Sequence, residues 1–383
     1  MRDGWTTVKI GDVCSVVAGQ SPKGSNYNDL GEGLPFYQGK KHFGAIFLCE
    51  PTIWTTQITK EAFPGDILMS VRAPVGPINL TNKKVCIGRG LAAIRAGKNV
   101  DRMYLFNFLL FKQKDIRGNE GAVFASINKN QIKDIELPLP PLPEQKRIVA
   151  ILDEAFAGIE KAMANTEMNL ANARELFDSY LESLFSQRGD GWENKSLFEV
   201  CENLDSKRIP ITKSKRKPGD IPYYGASGVV DYVAEHIFDE NLLLVSEDGA
   251  NLLARTYPIA FSISGKSWVN NHAHVLRFRN FESQRFIEYY LNSISLEPYV
   301  SGMAQPKLNQ KALNSIPVPF PSINVQRKIV ENLDDLSESI NKISKNYQQK
   351  LTALAELKQA LLQKAFSGEL TADEQLLPAE VAA

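Results

Sequence analysis

His272-Ala-His274 is the one closely spaced histidine pair in a chain that holds four histidines. On a strand, residues two apart face the same side, so this pair would offer two imidazoles to a metal ion or to a nucleic-acid groove. Neither a cysteine nor a third histidine stands nearby. A structural hydrogen-bonding role or contact with a base or phosphate therefore outweighs metal ligation, and no metal site is expected. Amide, aromatic and basic side chains gather around the pair. Trp268-Val-Asn270-Asn271 precedes it, and Ile221-Pro-Tyr223-Tyr224-Gly225-Ala-Ser227-Gly228 lies upstream. In the N-terminal half, Gln38-Gly-Lys40-Lys41-His42-Phe43 has a similar character. Asn and Gln pair bidentately with adenine, and Arg or Lys with guanine. The run Lys207, Arg208, Lys213, Lys215, Arg216 and Lys217 suits phosphates. It suits a solvated loop equally well, as Gly-Ala-Ser and Asn-Asn suit turns.

Catalytic patterns are missing. The chain has no G-x-x-x-x-G-K-[ST] phosphate loop, no G-x-S-x-G elbow and no H-E-x-x-H, so neither nucleotide hydrolysis nor these forms of hydrolytic chemistry are expected. The Asn/Asp-Pro-Pro-aromatic box of amino-methyltransferases is absent too. Gly31-Glu-Gly33 and Gly88-Arg-Gly90 read as turns. A binding chain is expected, not an enzyme.

The composition is that of an ordinary water-soluble chain, 43% hydrophobic and 23% charged over 383 residues, with Lys+Arg balancing Asp+Glu at 44 each. A net charge of zero argues against nucleic-acid binding by the whole surface but leaves room for local patches. The four cysteines Cys14, Cys49, Cys86 and Cys201 form no C-x-x-C pair. With a start, M-R-D-G-W-T-T-V-K-I, that has no apolar signal region, they point to the reducing cytosol. No apolar run approaches a membrane span.

The elements that must position these residues occur twice. Gly121 to Ser186 aligns without a gap on Gly302 to Ser367: Asn128 falls on Asn309, Pro138 on Pro319, Pro140 on Pro321, Gln145 on Gln326, Asp153 on Asp334 and Phe185 on Phe366. Asp3-Gly4-Trp5 with Cys14 likewise matches Asp190-Gly191-Trp192 with Cys201. Each copy opens with a mixed region, residues 1–136 and 189–317. There, β-type runs such as Asp66–Val71 and Leu242–Ser246 alternate with Gly, Pro and Asn turns, and shorter helices are expected near Met103–Gln113 and Ser283–Asn292. A prolyl segment follows, Leu137–Pro143 or Ile316–Pro321, extended because proline biases its predecessor out of the helical region. A long helix closes each copy. Ile148, Leu152, Ala155 and Ile159 begin a 4,3 series that continues through Leu176 and Tyr180 to Ser183/Leu184, and Leu333, Leu336, Ile340 and Leu357 belong to a second such series. That spacing is a coiled-coil seam, about 60 Å long in each helix. The acidic excess on the first helix disfavours DNA along it and suits contact with protein.

The fold expected is therefore α+β with internal, circular pseudo-two-fold symmetry. Residues 1–143 and 189–324 form two recognition domains, joined by two long antiparallel helices, 144–188 and 325–370, in a coiled coil. A tail covers 371–383.

These residues resemble the specificity subunit of type I restriction-modification systems, over essentially the whole chain. The marks are the prolyl turns before Gln145-Lys-Arg-Ile-Val149 and Gln326-Arg-Lys-Ile-Val330, the long helices and the duplication. Further marks are Pro64-Gly-Asp-Ile-Leu-Met-Ser-Val-Arg-Ala-Pro-Val-Gly76, Cys86-Ile-Gly-Arg-Gly90, Ser246-Glu-Asp-Gly-Ala-Asn251, Trp268–His274 and Gly302-Met-Ala-Gln-Pro-Lys-Leu-Asn309. Ser322-Ile-Asn-Val325 departs from the Pro-x-x-Glu pattern that precedes Gln145. The resemblance implies two target-recognition domains, each reading one half of a bipartite double-stranded DNA target, with the helices setting the spacer. Two methyltransferase subunits would flip and methylate adenine with S-adenosylmethionine. Restriction subunits would add ATP- and Mg2+-dependent translocation and cleavage. These cofactors would sit on the partners and none on this chain. Candidate DNA contacts are then Gln38, Lys40, Lys41, His42, Arg72 and Arg89 in the first domain. In the second they are Lys207, Arg208, Lys215, Arg216, Tyr223, Tyr224, Ser227, Asn270, Asn271, His272, His274, Gln305 and Lys307. Two rival readings are a stand-alone methyltransferase or nuclease with diverged motifs, and a dimeric transcription factor.

Overall fold

The computed structural model describes residues 4–113, 115–116, 126–189, 191–302 and 305–372. Gly121–Ala125 of the first repeat, Asp190, Met303-Ala304 and tail residues 373–383 fall outside them. The chain folds as two compact units, residues 1–165 with 349–383 and residues 166–348. Among the described residues, the helices longer than ten residues are α1 (Arg102–Lys112), α2 (Leu142–Ser186), α3 (Phe281–Ser293) and α4 (Ile323–Ser367). Both long helices contribute one part to each unit, so the division by contacts passes through them and not at their ends. No helix among the described residues is long and apolar enough to cross a membrane.

In the first unit, a four-stranded sheet runs in the order Cys14–Ala18, Leu91–Ala96, Ile67–Ser70, Ile78–Leu80. The Asp66–Val71 run thus forms the strand it predicts. Its residues Ile67 to Ser70 are all buried, as the unbroken apolar pattern of a strand covered on both faces requires. A second, five-stranded sheet holds Leu34–Tyr37 and Val85–Ile87. Helix α1 covers the first sheet. Its N-cap Asp101 accepts from the backbone N–H groups of Met103 and Tyr104, satisfying donors that a helix start leaves free.

The second unit repeats the plan with different residues. Its first sheet runs Glu202–Asn203, Ala273–Arg277, Leu242–Ser246, Ala260–Ile263, and Gly228–Val233, Ile221–Gly225, Lys266–Val269 and Phe238–Asp239 form another. Helix α3 takes the place of α1, capped by Asn280.

The repeated residues hold equivalent joints. Asn128 and Asn309 cap the short helices Lys129–Lys133 and Gln310–Asn314. Each prolyl segment is extended, as proline dictates, and pairs antiparallel with the strand that opens its unit: Glu136–Leu139 with Thr6–Lys9, and Pro317–Phe320 with Glu193–Ser196. Phe366 stands 5.3 to 5.6 Å from the rings of Tyr104, Phe108 and Phe111 in the first unit. Phe185 stands 5.5 and 5.2 Å from Phe286 and Tyr290 in the second. Phe366 of α4 thus completes the core of the first unit, and Phe185 of α2 that of the second.

In the first unit the start of α2 packs against the end of α4. Ile148, Leu152, Phe156 and Ile159 share one core with Leu362, Ala365 and Phe366. Lys358 reaches Glu160 at 3.3 Å and lies 4.6 Å from the Phe156 ring centroid. In the second, Leu181 and Phe185 share a core with Val330 and Leu333. Four seam positions, Ile148, Leu152, Ile159 and Leu333, are buried as expected, and Leu336 and Ile340 are half-buried. Two expected positions fail: Leu176 is 66% exposed and Leu357 47% exposed. Beyond Ile159 the covered positions include Ala162, Met163, Thr166, Leu170, Ala173, Phe177, Leu181 and Leu184, and in α4 they include Tyr347, Leu351, Leu354, Lys358, Leu361 and Leu362. A helix near 3.6 residues per turn drifts about 20° per heptad against a 3.5 repeat. The series nevertheless keeps Leu354 and Leu361 covered on either side of Leu357, so Leu176 and Leu357, equivalent in the repeat, lie at the edge of the covered face.

Candidate nucleic-acid interface

A cleft opens in the first unit where the second strand of its first sheet meets the segment that leads into the capped short helix. In the first unit the cleft has a volume of about 640 Å³ and is lined by Gly19, Arg72, Arg89, Ser126, Asn128 and Lys129, among others. Its walls are tied by backbone. Arg72 bridges Ser126, and the Ile127 N–H donates to the Val71 carbonyl at 3.1 Å. The turn Gly88-Arg89-Gly90 carries Arg89. A Cβ at Gly90 would lie 2.1 Å from the Gln38 carbonyl oxygen, and one at Gly19 2.2 Å from that of Gly88. Only glycine permits those approaches, and they bring Gln38 beside Arg89. Lys40, Lys41 and His42 form a short 3-10 turn. His42 is partly covered, 3.3 Å from the Thr52 hydroxyl and edge-on to Tyr37. Gln38, Lys40, Lys41, Arg72 and Arg89 are exposed, and none of these cations pairs with an acid among the described residues. Lys129, not singled out in the sequence, is a further exposed cation of this cleft. Its signal was its position next to the capping Asn128.

The second unit answers the same geometry with a closed charge network. The Leu308 N–H donates to the Glu247 carbonyl at 2.8 Å, and Asp248 bridges Lys307, the counterparts of Ile127–Val71 and Arg72–Ser126. Between them lies His274, 1% exposed. Its Nδ1 is 2.5 Å from the Asp205 carboxylate and its Nε2 2.7 Å from the Leu308 carbonyl oxygen. Arg208 donates to Glu247 at 2.6 Å and to the Ala273 carbonyl at 2.7 Å, while Lys307 reaches Glu247 at 3.2 Å. Burial pushes the Asp205 carboxyl up, but the hydrogen bond and charge of His274, the Val275 N–H and Arg208 together hold it below the usual range. Glu247 is held low in the same way: burial opposes, and Arg208, His274 and Lys307 prevail. Asp205, Glu247 and His274 each place a potential ligand atom within 4.8 Å of the others. Arg208 and Lys307 already supply the positive charge there, so a divalent ion would meet two cations.

Several expected contacts are thereby corrected. His272 and His274 do not share a face. The strand begins at Ala273, so His272 sits in the preceding turn, exposed, 2.8 Å from Asp248, and the alternation rule does not reach it. His274 and Arg208 are withdrawn into the network. Tyr223 is buried, its hydroxyl bound by the Ile211 N–H at 3.1 Å. Arg216 lies 4.3 Å over the Tyr223 ring and pairs with Asp231 at 2.8 Å, so it is mostly committed to its own fold. Asn270 is buried, its side chain accepting from the His272 N–H at 2.8 Å. Tyr224 is half-buried. Lys207, Lys215, Ser227, Asn271, His272, Gln305 and Lys307 remain on the surface. Sequence reasoning missed the acids: Asp205, Glu247 and Asp248 decide which basic residues stay outside, and the adjacent pair Glu247-Asp248 was the visible signal.

The equivalent segments of the two units thus differ in charge: a cationic cleft in the first and a closed ion-pair network in the second. The type I restriction modification DNA specificity domain matches residues 2–167 and again residues 189–353. The chain is 45% identical over 148 residues to a putative type I restriction enzyme MjaX specificity subunit of Methanocaldococcus jannaschii, covering 38% of this chain and 35% of that one. It is 36% identical over 159 residues to a putative specificity subunit, S.HindORF215P, of Haemophilus influenzae, covering 42% and 40%. These two matches thus span less than half the length of the relatives. A third, to the MjaIX specificity subunit of M. jannaschii, is 24% identical and covers 97% of this chain and 94% of the relative. Two solved structures share the fold. One, from work on the assembly and conformational transition of the type I R-M system, has a TM-score of 0.78 at 19% identity and covers 97% of this chain and 99% of its own. The other, the HsdS subunit from Thermoanaerobacter tengcongensis, has a TM-score of 0.58 at 21% identity over 97% and 98%. With one family model falling on both halves of the repeat, the chain belongs to the type I restriction-modification DNA specificity family.

Proposed function

We propose that this chain reads DNA for a type I restriction-modification complex and performs no chemistry itself. Each recognition domain reads one half of a bipartite, asymmetric double-stranded target. The long helices, as an antiparallel coiled coil with approximate two-fold symmetry, set the spacer and dock two methyltransferase subunits in the cytoplasm. Those subunits methylate adenine with S-adenosylmethionine, and restriction subunits add ATP- and Mg2+-dependent cleavage. One observation carries the reading: a frame that repeats in register, from Asn128/Asn309 to Phe185/Phe366, presents equivalent segments of opposite electrostatic design. Arg72, Arg89 and Lys129 have no acidic partner among the described residues in the first, and Arg208 is neutralised by Asp205 and Glu247 in the second. Equal scaffolds with unequal readers fit a target with unlike halves. The test is methyl transfer from labelled S-adenosylmethionine to DNA. Transfer is expected only when methyltransferase subunits are added to the purified chain, and transfer by the chain alone would favour the rival, an enzyme with diverged motifs.

A further inference from the structure

Two glutamines 181 positions apart, Gln145 and Gln326, are fully buried at the first turn of each long helix, although glutamine is seldom buried. Both close the prolyl turn behind them: Gln145 Nε2 donates to the Pro140 carbonyl at 2.8 Å, and Gln326 Nε2 to that of Pro321 at 2.7 Å. Both also reach far along the chain, to the start of the helix that covers the recognition sheet. Gln145 Oε1 accepts from the backbone N–H of Asp101, the α1 cap, at 2.7 Å, and its Nε2 also donates to the Asn99 carbonyl at 3.0 Å. Gln326 Oε1 accepts from the Ser283 hydroxyl in the first turn of α3 at 2.6 Å. A buried amide with its partners in place is strongly directional, and leaving those partners unpaired is costly.

From this geometry we infer that Gln145 and Gln326 are positioning residues. Each clamps its recognition domain at one angle to its long helix, and so sharpens discrimination among spacer lengths without touching DNA. The inference rests on the bipartite reading above. Its physical leverage is simple. Over an arm of about 30 Å, some twenty helical residues, a tilt of roughly 6° moves the far end by about one base-pair rise of 3.4 Å.

The two clamps differ in reinforcement. In the second unit, Asp334 of α4 also binds Arg285 at 2.6 Å and the Tyr289 hydroxyl at 2.5 Å, and Arg327 binds Glu282 at 3.0 Å. In the first unit the equivalent Asp153 is exposed, with no such pair among the described residues. Loss of Gln145 is therefore expected to matter more than loss of Gln326.

The experiment assembles the full chain with its methyltransferase subunits on a DNA library in which the wild-type half-sites are held and the spacer is varied. Methylation is read by sequencing. Gln145→Met, close in volume but unable to hydrogen-bond, is expected to raise the share of methylation at spacers one base pair shorter or longer about five- to tenfold, with both half-sites unchanged. Gln326→Met gives a smaller rise, and Ser283→Ala a smaller one still, which Ser283→Thr reverses by restoring the hydroxyl. A wild-type spacer distribution in assembled Gln145→Met and Ser283→Ala complexes overturns the inference. So does a uniform loss at every spacer, which marks a merely structural role. Should Gln145→Met not assemble, the Ser283→Ala and Ser283→Thr pair decides by the same criteria. A wild-type complex with no bipartite motif would instead sink the reading on which the clamp depends.

Discussion

Arg72 and Arg89 are exposed, held by backbone contacts and without an acidic partner among the described residues, so their charge is available to a ligand at little cost in stability. Replacing either with alanine is expected to weaken DNA binding by the assembled complex. A lost phosphate contact lowers the slope of log K against log salt by about 1, whereas a lost base contact costs about 1–3 kcal/mol and relaxes one target position. Titrations by fluorescence anisotropy over a salt series separate the two. The acids of the second unit predict a pH effect. Asp205 and Glu247 are both held below their usual range. Their stabilising contribution is therefore complete above the unfolded values, about 3.9 and 4.3, and is lost as pH falls through the folded values. The thermal midpoint is expected to drop below about pH 4, and Asp205→Asn is expected to flatten that drop. At this scale the sequence was informative about side-chain chemistry and poor about direction. His272 and His274 differ by one turn residue, and the acids that withdraw Arg208 lie 3 and 39 positions away, beyond any local pattern.

Elements were easier to read. The unbroken apolar run Leu242–Ser246, the prolyl segments and both long helices follow from periodicity and from proline's effect on backbone angles, and the structure contains each of them. The seam was legible only near the cores, where Ile148, Leu152 and Leu333 pack under a recognition domain. Toward the middle of each helix few neighbours compete for a position, and the series is only partly covered: Ala173, Leu354 and Leu361 are, whereas Leu176 and Leu357 are exposed. This yields a paired prediction. Leu333→Asp buries a charge with no partner and is expected to cost several kcal/mol. Leu176→Asp, at an equally heptad-like position, is expected to change stability by no more than about 0.5 kcal/mol. Denaturant unfolding of the two variants checks it, and equal losses would restore the strict heptad assignment.

For the whole molecule, the repeat matters more than any single residue. A frame aligned without a gap holds Phe366 in one unit and Phe185 in the other, while the segments it presents differ in charge, in burial and in the residues left exposed. Net neutrality over 383 residues hides that contrast: the second unit answers its cations with Asp205, Glu247 and Asp248, and no acid among the described residues pairs with Arg72 or Arg89 in the first. The central claim is that one scaffold carries two unlike readers at a fixed separation. Modified-base sequencing of DNA from cells carrying this chain with its methyltransferase subunits tests it most directly. The account predicts methylated adenines in a bipartite motif with two different half-sites and one spacer length. A palindromic motif or a single uninterrupted one would contradict it.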